Sequence, residues 1–313
     1  MWFRNLRFYC LTKPFEYYVE GLEEALSDQP FRPCNNYEKS TMGWVAPVQD
    51  DITEAADPPY TQVIEGYIML CAKKQERLLP ASVVREAVND KIVEIEERQG
   101  RKIYRKEKRQ IQEDTASMLL PQAFTRSQLT YGYLSKKENL LIVNAATPAK
   151  AEEFINLLRD TLGTFPVGLP SSNRSPSDVM TRWLKDQKAT NSFELTEDCE
   201  LFNPLDGANI IRCKGQNLKS EEIATHIESG KKAKNLGVIW NNFLSCNVGD
   251  DLGIKRLRLE EIREESESSS EENARQKFDQ DFALMALGIS GFFDSLFVAF
   301  GGLGETKTME KTD

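Results

Sequence analysis

Apolar residues recur along the chain with two different periods, and the switches between them outline the expected elements. Phe3 to Thr12 reads as a strand, and Phe15 to Ser27 has the spacing of a helix through Tyr18, Val19, Leu22, Ala25 and Leu26. Short strands are expected around Phe31, from Met42 to Val48 and from Gln62 to Lys73, with Asp50 to Pro59 as an acidic, proline-containing loop. Pro80 opens a second helix, in which Val84, Ala87, Val88, Ile92 and Ile95 form one apolar face before Gly100 interrupts. Strand patterns follow at Gln128 to Leu134 and Leu140 to Ala145. A helix then runs from Ala149 to Leu162, with Pro148 just before it and Gly163 just after. Gly168 to Ser177 reads as a connection. Beyond it, strands are expected near Phe193 to Leu195, Asn209 to Lys214, Lys231 to Val248 and Ile254 to Leu259, with a helix at Ser220 to Ser229. Asp250-Asp251 beside Gly249 has the composition of a hairpin turn.

The pattern predicts an α+β fold made of several mixed α/β units. The expected divisions are residues 1–118, 119–170, 171–260 (an outlying, tip-like unit) and 261–313. A length of 313 residues agrees, being more than one core usually accommodates. The most apolar stretch, Phe282 to Gly304, is long enough to raise the question of a membrane. It carries Asp294 and five glycines, and its aromatic residues fall on one helical face, so it reads as a helix packed on a core or a partner subunit. The start, Met1-Trp2-Phe3-Arg4-Asn5, lacks the basic-then-apolar pattern of a secretory leader. Six scattered cysteines without a C-x-x-C pair are then expected to be reduced, mostly buried thiols.

Charge changes the picture more than composition does. The net charge of −9 argues against a nucleic-acid partner until it is resolved along the chain. Lys73 to Arg109 holds twelve Lys or Arg against seven Asp or Glu, while Glu260 to Asp281 holds nine acids against three bases. The basic tract is a candidate DNA surface; the plainer alternative is a solvated helical face.

Candidate catalytic chemistry is sparse. No G-x-x-x-x-G-K-[ST] loop occurs, and the single histidine, His226, lies inside an expected helix, where packing or capping is its ordinary role. A metal-dependent nuclease needs clustered carboxylates and a lysine, and the nearest set is Asp178 with Asp186-Gln187-Lys188. The spacing is loose. Nothing in the pattern calls for a cofactor or a metal.

One ordered series of segments is more specific. It comprises Met42-Gly43-Trp44-Val45-Ala46-Pro47, Cys71-Ala72-Lys73-Lys74, Leu119-Leu120-Pro121-Gln122-Ala123-Phe124 and Ser220-Glu221-Glu222-Ile223. His226-Ile227-Glu228, Gly230-Lys231, Lys255-Arg256-Leu257 and Phe278-Asp279-Gln280-Asp281-Phe282 complete it. From Trp2 to about Gly302 the chain resembles the RdgC family of bacterial recombination-associated proteins. The resemblance implies a protein of the cytoplasm and nucleoid without established enzymatic activity. It also implies a ring-shaped homodimer of horseshoe-like subunits that binds DNA with little sequence preference and limits the recombinase RecA by competing for DNA. In such a ring, basic residues can line the hole while acidic ones face outward.

Phe124 matches the phenylalanine of the family's L-L-P-x-A-F segment, which implies a subunit contact; a core aromatic is the alternative reading. The C-terminal aromatic face is a second candidate contact. Lys214 and Gln216 match the family's R-x-K-x-Q segment, which implies contact with DNA or ring closure. Gly215 and Gln122 stand where a well-known member has lysine and arginine, so two positive charges are absent there. The full set expected to face DNA is Lys73, Lys74, Arg98, Arg101, Lys102, Arg105, Lys106, Arg126, Arg212, Lys214, Gln216 and Lys231.

Overall fold

The computed structural model describes residues 3–15, 18–48, 58–190, 192–259 and 271–306, with side chains in the last segment from 276 onward. The acidic run Glu264 to Asn273 and the loop Asp50 to Pro59 fall largely outside these residues.

Twelve strands form two antiparallel sheets among the described residues. The first sheet takes β1 (Arg7–Leu11), β2 (Ser40–Val45), β3 (Thr61–Ile64), β4 (Tyr67–Leu78), β5 (Phe124–Ser135), β6 (Leu140–Val143) and β7 (Val167–Gly168). Its order is β2-β4-β5-β6-β1-β7, with β3 also on β4, so it draws on residues from both sides of position 118. The second sheet takes β8 (Phe193–Asn203), β9 (Asp206–Cys213), β10 (Lys232–Trp240), β11 (Leu244–Gly249) and β12 (Ile254–Leu259), in the order β12-β11-β10-β8-β9. Paired backbone hydrogen bonds between Leu6 and Ile254, 2.9 and 3.0 Å, tie the two sheets together.

Two expected strands are in fact hairpins. Lys231 to Val248 turns at Asn241 and Asn242, both at positive φ, between β10 and β11. Gln62 to Lys73 breaks at Glu65 and Gly66, which both take positive φ (48° and 86°), the backbone of a tight two-residue turn. The apolar run hides the turn because Glu65 is an unusual residue for it. Phe31 is not in a strand; it lies across Gly43 of β2, where a β-carbon would sit 2.5 Å from the Phe31 backbone.

Helices α1 (Val19–Ser27) and α4 (Pro148–Leu162) cover one face of the first sheet. Leu22, Leu26, Phe154, Ile155 and Leu158 pack there against Trp44, Leu70, Leu134 and Val143. The other face meets α7 (Glu271–Ala299), which lies between the two sheets, with α5 (Pro176–Lys185) and α6 (Glu221–Glu228) closing the same core. Phe293 reaches Phe8 of the first sheet at 5.0 Å between ring centres. Its neighbour Phe292 faces Trp240 and Phe193 of the second at 6.0 and 5.9 Å. Adjacent helical residues point about 100° apart, so this pair serves both sheets. Gly288 allows the close approach: a β-carbon there would lie 2.3 Å from the Phe243 ring.

The aromatic face of α7 is therefore used inside the subunit. Phe282, Ile289, Phe292, Phe293, Leu296, Phe297 and Phe300 are all buried, which removes this face as a subunit contact. The segment is apolar and long enough to cross a membrane by length and composition, but these side chains are spent on the protein core.

Candidate nucleic-acid interface

The basic tract does not form one surface. Lys73 and Lys74 are consecutive on β4 and so face opposite sides of the sheet. Lys73 lies 4.6 Å from the centre of the Phe31 ring, and Lys74 pairs with Glu153 of α4 at 2.5 Å. Both are half-buried and already engaged.

The rest of the tract builds an arm. β4 and β5 pair in unbroken register from Tyr67–Ser135 to Leu78–Phe124, and the chain between them forms α2 (Ala81–Gln99) and α3 (Arg105–Leu119). These helices pack chiefly on each other, and α2, at 1.5 Å per residue, is about 28 Å long. Only Val84 and Val88 of α2 and Thr115 of α3 are buried, so the expected apolar face is used within the hairpin. A groove of about 600 Å³ runs from its foot, at Lys39, Arg77 and Leu120, along α3 to Arg109. Arg77 braces that foot by donating to the carbonyls of Leu120, Pro121 and Ala123 at 3.5, 3.4 and 3.1 Å.

At the far end, between Arg98 and Arg109, the chain carries seven Lys or Arg against one acid, Glu107. Gly100 ends α2 in the left-handed conformation at φ 63°. Glu96 accepts from the Ile103 amide at 2.8 Å and Glu107 from the Tyr104 amide at 3.2 Å, which fixes the connecting loop. Glu107 also takes both guanidinium nitrogens of Arg101, 2.9 and 2.8 Å. That hydrogen bond, then the Tyr104 amide, holds its carboxyl down at about 2. Arg98 pairs with Glu94 at 2.6 Å and Arg109 with Glu113 at 3.0 Å. Lys102, Arg105, Lys106 and Lys108 are exposed and have no ion-pair partner among the described residues. The end of the arm thus offers four uncompensated cations beside exposed Tyr104.

Phe124 opens β5 at the same foot, opposite Leu78, and is 85 % exposed, which overturns the core reading. β6 joins β5 only at Gly132–Ser135, so among the described residues the exposed run Phe124–Gln128 has no strand beside it on that edge. Arg126, in this run, pairs with Glu76 across the ribbon.

The remaining expected residues lie on the second sheet. Arg212 of β9 pairs with Glu200 at 3.0 Å; Lys214 is exposed; the Gln216 amide donates to Glu222 at 2.6 Å; Lys231 reaches Asn209 at 2.9 Å. Arg212 and Lys214 share a groove of about 250 Å³ with Lys255 and Arg256 of β12, two cations absent from the expected set. Strict alternation would turn one of this pair inward. Arg256 instead takes φ 55° at a register shift, and both side chains are exposed. The signal was present in the Lys255-Arg256 pair but needed the bulge to be read.

The carboxylates weighed for nuclease chemistry do not meet. Asp178 stands in the first turn of α5 and pairs with Lys232 at 2.7 Å, whereas Asp186 caps the opposite end. Eight residues of helix hold them about 12 Å apart, too far to share an ion. Asp250 and Asp251 do sit at a turn, where Asp251 receives buried Arg7 at 2.6 Å. No group of three or more His, Cys, Asp or Glu able to hold a metal occurs among the described residues.

Two packed antiparallel sheets sharing a central helix, with a long basic helical arm, define an α+β protein whose exposed cations are gathered in separate patches. The chain belongs to the RdgC family. The family model described as "Putative exonuclease, RdgC" matches residues 1–303. Relatives named recombination-associated protein RdgC include those of Pseudomonas aeruginosa and Pseudomonas putida, both 38% identical over 96% of this chain and 98% of the relative. That of Pseudomonas syringae pv. tomato is 37% identical over the same shares.

Proposed function

We propose that this protein binds DNA without sequence preference, as a ring-shaped homodimer of the cytoplasm and nucleoid, and restrains RecA-dependent recombination by competing for DNA. It does so without catalysing a reaction or using a cofactor. The observation that carries the proposal is the end of the α2–α3 arm, where Lys102, Arg105, Lys106 and Lys108 lack acidic partners among the described residues. Phosphates supply what these cations lack, and counterion release makes such binding strong and salt-dependent. Helix-borne cations spaced along a backbone position a duplex without reading its bases. The names of the relatives place the family in recombination. Lys214 and Lys255 form a second exposed patch beside Arg256, which pairs with Asp198 at 2.8 Å, and exposed Phe124 is suited to the subunit contact that closes the ring.

Titration of unrelated duplexes at several salt concentrations tests the proposal. Affinity should be similar for all sequences and fall steeply with salt. Replacing Lys102, Arg105 and Lys106 by Glu should weaken binding and lower the slope of log K against log salt by about three, one unit for each phosphate no longer neutralised. A shallow slope, or unchanged affinity in the triple variant, refutes it.

The family description favours a second reading, an exonuclease acting on DNA. Incubating end-labelled DNA with the protein and Mg²⁺ or Mn²⁺ separates the two, since only a nuclease shortens it.

A further inference from the structure

Five of the six cysteines are buried and all are free, yet two of them face each other. Cys199 on β8 and Cys213 on β9 are directly opposite in the antiparallel register, and their thiols hydrogen-bond. Residues opposed in this way hold their α-carbons about 4.5–5.5 Å apart, inside the range that a disulfide spans. None of the other four is so placed. Cys10 lies opposite Leu140 and Gly168, Cys71 opposite Tyr131 and Val45, and Cys246 opposite Val238; Cys34 is bonded to the Gln75 carbonyl.

We propose that Cys199 and Cys213 are a peroxide-responsive pair that forms a reversible cross-strand disulfide. Cys213 is the point of entry, because it is only half-buried and β9 is the last strand of its sheet. Its thiolate sulfur attacks hydrogen peroxide, the O–O bond breaks, and the departing hydroxide leaves as water, giving a sulfenic acid. The Cys199 sulfur then attacks the Cys213 sulfur. The S–S bond forms, the S–O bond breaks, and the leaving hydroxide takes the Cys199 proton as water. Two thiols lose two electrons, and one peroxide becomes two waters. Burial, then the neighbouring Cys213, pushes the Cys199 thiol up to about 12. Cys199 therefore stays protonated at neutral pH and reacts only with a sulfur already oxidised beside it.

The tie would lock a particular turn. The Gly215 amide donates to Asp198 at 3.1 Å and the Gln216 amide to the Glu197 carbonyl at 3.0 Å, so the Lys214–Gln216 turn hangs on residues adjoining Cys199. A covalent bond at 199–213 holds that turn against β8 instead of leaving it to two hydrogen bonds.

The test uses the full chain, treated with hydrogen peroxide or left reduced, then alkylated under denaturing conditions and digested with trypsin. Cleavage after Arg212 separates the two cysteines, so a disulfide alone can keep their peptides joined. Two of the six thiols should disappear, the Cys199 and Cys213 peptides should be recovered linked and two hydrogens lighter, and dithiothreitol should restore both. In the Cys199→Ser variant, Cys213 should instead stop at the sulfenic acid or pass to the sulfinic acid. Amide exchange at Lys214 to Gln216 should slow in the oxidised wild type. Six alkylated thiols after peroxide, linkage through another cysteine, or unchanged exchange at the turn overturns the proposal. None of these readouts involves DNA, so the result stands apart from the proposed function.

Discussion

Phe124 and Phe154 are the same residue type in opposite circumstances. Phe154 is fully buried and its ring edges onto Trp44 at 5.4 Å, whereas Phe124 stands 85 % in solvent. Phe154→Ala should cost about 3–5 kcal/mol of stability, read from denaturant unfolding. Phe124→Ser should leave stability within about 0.5 kcal/mol, while weakening self-association by sedimentation and DNA binding with it. Unaltered association would remove Phe124 from the subunit contact. The immediate neighbours do not separate these two phenylalanines and even mislead, since exposed Phe124 follows Ala123 whereas buried Phe154 follows Glu152 and Glu153. The resemblance singled out Phe124, and the free edge of β5 explains why it is exposed. Single cations were equally hard to rank: whether an arginine is available depends on a glutamate four or six residues away, as with Arg98 and Arg101.

Among elements, the α2–α3 arm shows how charge sets local order. Glu107 binds Arg101 and the Tyr104 amide, and its carboxyl is held at about 2 against an ordinary 4.5. A depressed folded-state pKa contributes stability above the unfolded value that is lost as pH falls through the folded one. The loop should therefore loosen between about pH 4.5 and pH 2, seen as falling protection of the Tyr104 amide after correction for intrinsic exchange. Glu107→Ala should show the loosened loop already at neutral pH; equal protection in both proteins would show that Glu107 does not hold it. Solvent screening keeps the effect local and small. Helix α2 was legible, because Pro80, Gly100 and the intervening apolar period mark it clearly, whereas α3 showed only as a basic stretch without bounds. Their pairing into an arm between two long strands was not, since register across 46 or more residues leaves no local trace.

For the whole molecule, the expected α+β class holds, but the chain is less segmented than its composition implies. The first sheet unites strands on both sides of residue 118, and α7 belongs to both sheets at once. Periodicity identified the apolar face of α7, yet it could not distinguish a core from a partner. A ring dimer predicts a solution mass of two chains and a shape whose hole fills with duplex; a monomeric mass with or without DNA would refute it. If competition for DNA is the mechanism, deleting residues 264–273 should leave inhibition of recombinase filaments nearly intact. A large loss would point to direct contact through the acidic run.

The place of α7 also bears on how the chain is made. A ribosome delivers residues in order, at about 5–20 per second, so both sheets emerge before the helix that joins them. For some seconds Phe8, Tyr133 and Trp240, all destined to pack against α7, face water or a holding chaperone. A message broken before residue 271 would yield two half-covered sheets and no finished core, a product suited to proteolysis rather than to partial activity.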